Sequence, residues 1–282
     1  MKMTIKADSK LVRTLSATFF ACWVCSAAAQ AAPDLSVDIG GSVLQMKPES
    51  LEEELVVGKL VASQLLGAAK LLRNPGLQKY VNLVGRLVAE QSGRKDLNWS
   101  FGVVDSTAVN AFASPGGYIL VTSALIQLLD TEDELAAVLA HEVAHVERKH
   151  HYKVIRKQQM LKFGASAVAI GGEQGAMADK ISEMVAEILA RGLDKTAEYE
   201  ADRDGMVYAA RAGYDSSAMI RVMEKLSTNA TKEDQSKLLL ATHPSPNDRS
   251  VAMAKAVNAD IEKAARLSPA ASRFERQSVT KN

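Results

Sequence analysis

The run DELAAVLAHEVAHVERKHH, residues 133–151, sets two histidines and a glutamate in a stretch that is otherwise apolar on nearly every face. Thr131 followed by Glu132, Asp133 and Glu134 reads as a capping box and starts a helix there. The helix is expected to continue to about Gly164, apolar in its first half and basic in its second, so that it enters the core and then leaves it. Burying three ionisable groups without partners would cost several kcal/mol, and a metal ion offsets that cost directly. Residues four apart on a helix share a face, so His141 and His145 present two imidazoles about 6 Å apart along the axis, a spacing that suits one tetrahedral zinc ion. Glu142 lies about 100° round from His141 and is placed to act on water as a general base. The H-E-x-x-H pattern thus encodes two ligands and a base.

A catalytic zinc needs a third protein ligand and an open fourth position. His151 falls at the metzincin spacing, but that arrangement needs a glycine turn where this chain has Arg148. In a continuous helix His151 would lie about 15 Å along the axis from His141, out of reach. The segment KTAEYEADRDG offers a second candidate. Glu198 and Asp202 share a helical face, one fit to ligate the ion and the other to accept the second ring N–H of a ligating histidine. Glu200, with Asp204 as a partner of its own, is the alternative ligand, and a solvated acidic face is the plainer reading of the whole segment. His243, in THPSPNDR, is open to three readings: a transition-state donor, an occupant of the fourth zinc position at rest, or a loop histidine that caps backbone. His150 reads as structural and His151 as exposed.

The start of the chain reads as a secretory signal peptide over residues 1–31. Lys2, Lys6, Lys10 and Arg13 precede an apolar run, which ends in small residues. The run is shorter than the roughly 20 residues a spanning helix needs. Neither cysteine follows the Leu-small-small triplet of a lipoprotein. Both cysteines lie inside that segment, so any metal must be held by His, Asp or Glu. Its removal takes away those four bases and Asp8, leaving 30 Lys plus Arg against 32 Asp plus Glu. A net charge of −2 argues against nucleic acid as a partner.

Residues 32–50 read as an N-terminal extension. Helices are expected over 51–72 and 76–91, broken at Asn74-Pro75. A strand within WSFGVV follows, then VNAFA and YILVT joined by a Pro-Gly-Gly turn. Residues 164–180 read as a flexible connection or lid. Helices follow over 180–192, 195–212 (ended by Gly213) and 216–227 (capped by Asp215). THPSPNDR reads as a rigid loop before a helix to about Arg266, and 267–282 as a polar tail. The expected fold class is α+β and mostly α-helical, with a small antiparallel sheet beside the HEVAH helix.

NAFASPGGYILVTSAL, the capping box with HEVAHVERKHH, EYEAD and HPSPNDR together resemble the HtpX, CAAX prenyl protease and BepA-like zinc metallopeptidases, family forty-eight of the metallopeptidases. The resemblance implies a zincin-type metallopeptidase domain over 51–266 and endopeptidase activity with one zinc ion per subunit. His141, His145 and Glu198 would bind zinc, Glu142 would activate water and Asp202 would support a ligand. Arg249, in the family's H-P-x-x-x-x-R pattern, would stabilise the oxyanion or clamp the loop. An edge strand at residues 109–113, with Asn110, Ala111, Phe112 and Ala113, would border the cleft and pair with an extended substrate. Such pairing tolerates many sequences and suits unfolded or misassembled proteins. The membrane helices and helical repeats of the named branches are absent from this sequence, so a minimal periplasmic member is expected, with peripheral contact to the outer membrane or its assembly machinery. Two further readings stay open: a chaperone-like holdase for outer-membrane precursors with zinc mainly structural, and a hydrolase of cell-wall peptides.

Overall fold

A computed structural model describes residues 50–163, 186, 192–230, 242, 243 and 246–256. The signal peptide, most of the extension, the connection over 164–180, nearly all of the helix expected at 180–192 and the C-terminal tail lie outside these residues. Among the described residues no helix is long and apolar enough to cross a membrane.

Helix α1, Leu51–Ala68, is capped by Ser50, whose side chain accepts from the Glu53 amide. It lies against the turn Pro115–Gly117. At Gly58 a Cβ would sit 1.8 Å from the Pro115 carbonyl oxygen, so only glycine permits this approach. Helix α2, Pro75–Ala89, has Asn74 as its cap and proline at its first position, where the missing N–H costs nothing. Strands β1, Ser100–Val104, β2, Ala111–Ser114, and β3, Tyr118–Thr122, follow. After the short α3, Ser123–Leu128, comes α4, Glu132–Glu147, then α5, His150–Phe163. Helices α6, Lys195–Ala212, α7, Ala218–Ala230, and α8, Pro246–Ala256, complete the described order. The expected class stands: mostly helical with one small sheet.

Three details differ from expectation. The sheet is mixed, not antiparallel, with strand order β1-β3-β2. β2 and β3 form the expected hairpin, but β1 adds to the far side of β3 and runs parallel to it. That outer edge of β1 is closed by side chains and neighbouring backbone: Gln78 bonds the Val103 N–H and carbonyl, Asn82 donates to Phe101, and Leu72 donates to Val103. The second difference is in the long helix, which breaks after Glu147. Lys149 takes a left-handed conformation with φ 57°, and α5 starts in a new direction. The break has no glycine or proline to announce it. It is held from outside by Glu54 of α1, a fully buried carboxylate 3.4 Å from Lys149 Nζ that also pairs bidentately with Arg94 at 3.0 and 3.1 Å. The third is at THPSPNDR, whose last four residues open α8, so Arg249 stands in the first turn of a helix and not in a loop.

Helix α4 is the centre of the core. Every residue from Glu134 to Val146 is buried. Thr131 caps it by accepting from the Glu134 amide, and Glu134 reaches back to the Asp130 amide, one residue before the position a capping box uses. α2, the sheet, α6 and α7 all pack against α4, and α2 also touches α6.

Candidate metal centre

Helix α6 crosses α4 with almost no space between their backbones. A Cβ on Gly205 would lie 3.0 Å from the His141 nitrogen and 3.1 Å from its Cα. Asp202 and Glu198 sit one and two turns before Gly205 on the same face, so the contact carries both carboxylates to the histidines. His141, His145, Glu198 and His243 each offer a ligand atom, and these atoms all lie within 4.8 Å of one another. The Nε2 atoms of His141 and His145 are 2.9 Å apart. Glu198 lies 3.6 Å from His141 Nε2 and 3.5 Å from His145 Nε2. His243 Nδ1 lies 3.4 Å from His141 Nε2 and 3.0 Å from Glu198 Oε2.

This donor set fits a metal ion. Bonds of about 2.0–2.1 Å to a tetrahedral ion put the ligand atoms about 3.4 Å apart, close to the histidine–glutamate separations here. All four residues are buried, and two imidazole nitrogens 2.9 Å apart need a cation or a proton between them. Burial works against charge on both rings. Hydrogen bonds to Asp202 and Glu198 outweigh it at His141, whose pKa is lifted to about 9. Burial and then the adjacent His141 push His145 well below its usual value.

Asp202 Oδ1 is 3.0 Å from His141 Nδ1, which fixes the proton there and leaves Nε2 as the donor atom. Arg249 is fully buried and holds Asp202 through Nε and Nη2, at 2.8 and 2.6 Å, and Glu198 through Nη1 at 2.8 Å. Burial opposes ionisation of both acids, but the charges on His243 and Arg249 hold Glu198 well below the carboxylate range, and Arg249 lowers Asp202. Arg249 therefore braces the two carboxylates. Burial raises Glu142, whose Oε2 has no hydrogen-bond partner, while Oε1 is 3.7 Å from His243 Nε2. A cleft beside His141 and Glu142 is lined by Ala111, Val138, Met219, Met223 and Leu226.

His151 is buried, not exposed. Its ring packs on Phe112 at 4.6 Å between centroids. It stands outside the four-residue cluster, but not for the reason expected from the sequence, since α4 ends before reaching it. Glu200 is outside the cluster too, with Oε2 at 3.3 Å from both Arg148 and His150. His150, which the sequence marks as structural, brings its Nδ1 to 2.9 Å from His145 Nδ1. No spacing rule on an unbroken helix would have brought it there.

The other edge of the sheet is β2, which has no further strand beside it among the described residues. Asn110 and Thr122 exchange bonds across the hairpin, so alternation turns the N–H and C=O of Ala111 and Ala113 away from β3.

The sequence profile of peptidase family M48 matches residues 75–257, which hold every residue of this cluster. The chain belongs to peptidase family M48. Its similarity to the beta-barrel assembly-enhancing protease of Escherichia coli K12 is 30% identity over 250 residues, 85% of this chain and 50% of that protein. The protein of the same name in Yersinia pestis is 30% identical over 226 residues, 77% of this chain and 46% of its own length. The mitochondrial metalloendopeptidase OMA1 of Schizosaccharomyces pombe is 29% identical over 174 residues, 60% and 50% of the two chains. The chain thus spans about half the length of the curated relatives it matches. Helix α1 precedes the family match.

Two outcomes follow from this geometry. Gly205→Ala sets a methyl against backbone that cannot swing aside, and should weaken metal binding about tenfold and lower stability by about 1–3 kcal/mol; chelator competition and urea unfolding measure the two. For His141 to bind metal, its ring must lose the proton that it holds below about pH 9. Apparent affinity should therefore rise about tenfold per pH unit from neutrality and level off above that pKa, in the same competition assay.

Proposed function

We propose that this chain is a zinc-dependent endopeptidase acting on unfolded or misassembled envelope proteins. The observation that carries the reading is the convergence of His141, His145 and Glu198 beside Glu142, a buried carboxylate with an oxygen free to take a proton. Zinc suits a site of imidazole and carboxylate donors in tetrahedral spacing, and when bound it would polarise the scissile carbonyl and acidify a water. Glu142 takes the proton of that water and delivers it to the departing amine, a task helped by its raised pKa. Asp202 and Arg249 hold His141 and Glu198 in place.

His243 brings Nδ1 to the fourth donor position. It holds the site at rest and withdraws when a substrate carbonyl enters. The outer edge of β2 supports recognition through backbone. Ala111 borders the cleft, and among the described residues its outward backbone groups are the ones placed to pair with an extended segment there. Such pairing is indifferent to most side chains and selects for chains that are not folded. Beta-barrel assembly, in the name of two relatives, supports outer-membrane proteins as the substrate class. The basic, apolar and small residues of 1–31 support export to the periplasm.

Cleavage of an unfolded protein such as casein tests the reading. Wild type should cleave it, a chelator should stop cleavage and zinc should restore it, while Glu142→Gln should lower the rate by about 10²–10⁴. Cleavage that survives Glu142→Gln overturns the proposal. Complete function of Glu142→Gln in cells lacking the wild-type protein would make binding, not hydrolysis, the biological role. At saturating zinc, His243→Ala should cleave faster than wild type, which initial rates would show.

A further inference from the structure

The rotation of the chain at Lys149 has a chemical result. It turns His150 back toward the end of α4, where its ring lies 5.0 Å from that of His145, edge to face. The ring is nearly as buried as the cluster itself, and its two nitrogens are both engaged. Nδ1 is 2.9 Å from His145 Nδ1, and Nε2 is 3.3 Å from Glu200 Oε2. Glu200 is partly exposed and is shared with Arg148, whose Nη1 lies 3.3 Å from the same oxygen.

We propose that His150, with Glu200 behind it, is a positioning residue that sets the tautomer and angle of the metal ligand His145. The inference rests on the metal-binding reading of the cluster. One arrangement of protons satisfies every contact. His145 points Nε2 at the cluster, 2.9 Å from His141 Nε2, so that atom carries the lone pair and Nδ1 carries the hydrogen. His145 Nδ1–H then donates to His150 Nδ1. With Nδ1 as an acceptor, His150 carries its hydrogen on Nε2 and donates it to Glu200, which as a carboxylate only accepts. The reverse assignment would leave His145 with a hydrogen aimed at the other ligand and His150 with none to give its carboxylate. His141 has a carboxylate directly behind it in Asp202. His145 has one at second hand, through an imidazole. The two ligands are thus fixed by the same chemistry over different lengths.

The test is zinc affinity of the purified full-length protein, read by competition with a chromophoric chelator, with urea midpoints of the metal-free proteins as a check on folding. His150→Phe keeps a ring but removes the acceptor; His150→Asn keeps an acceptor oxygen near the Nδ1 position but loses the ring. The inference predicts that His150→Phe weakens zinc binding about 10–100-fold and that His150→Asn restores most of the loss. A packing role predicts the opposite order. Glu200→Ala, a change near the surface, should weaken binding by a smaller factor, and Asp204→Ala, which removes the other partner of Arg148, should not. Zinc binding by His150→Phe at wild-type strength overturns the inference; should that variant fail to fold, wild-type affinity in Glu200→Ala does so. A wild-type protein that binds no zinc would instead remove the reading of the cluster itself.

Discussion

The contact between Gly205 and the backbone at His141 sets the distance on which the rest of the site depends. Histidines on one helix and carboxylates on another meet only if the helix backbones come closer than side chains usually allow. Glycine removes the one atom that would hold them apart. Once α6 is against α4, Asp202 reaches His141 and Glu198 reaches both imidazoles, and Arg249 from a third helix closes over the two acids. The apolar residues of α4 serve this contact. A helix buried on every face has no freedom to roll, so its two imidazoles stay aimed at α6.

Arg249 answers a difficulty that two buried carboxylates create. Neither Glu198 nor Asp202 has water to stabilise its charge, and their helix brings them there together. A planar guanidinium answers both charges at once, hydrogen-bonding Asp202 through Nε and Nη2 and ion-pairing with Glu198 at 2.8 Å from Nη1. The cluster thus carries its own counter-charge, and a divalent cation adds to a site whose acids are already ionised.

Much of this was legible in the sequence because it rests on helical periodicity. HEVAH and EYEAD are each local patterns whose face can be read from spacing alone, and both helices run where those patterns place them. Features set by long-range contact were not legible. The break at Lys149 depends on Glu54, nearly a hundred residues earlier, and nothing near Lys149 signals a turn. Reading the helix as continuous carried His150 and His151 away from the site, one to a structural role and the other to solvent. The parallel pairing of β1 with β3 is likewise a long-range contact, and the Gln78 amide occupies the edge of β1 that a further strand would need. Arg249 was assigned to a loop because two prolines precede it, though the second of them opens the helix.

Glu54 joins several regions of the chain. Its carboxylate receives Arg94 from beyond α2, Lys149 from the break after α4, and the Gly116 amide from the turn before β3. A fragment cut to the family match would begin at residue 75 and lose this anion altogether. Arg94 would keep Asp96, and the ion pair between Glu54 and Lys149, the residue in left-handed backbone beside the one that faces His145, would be lost. The smallest fragment that preserves the bend therefore starts at the Ser50 cap of α1, outside the region by which the family is recognised.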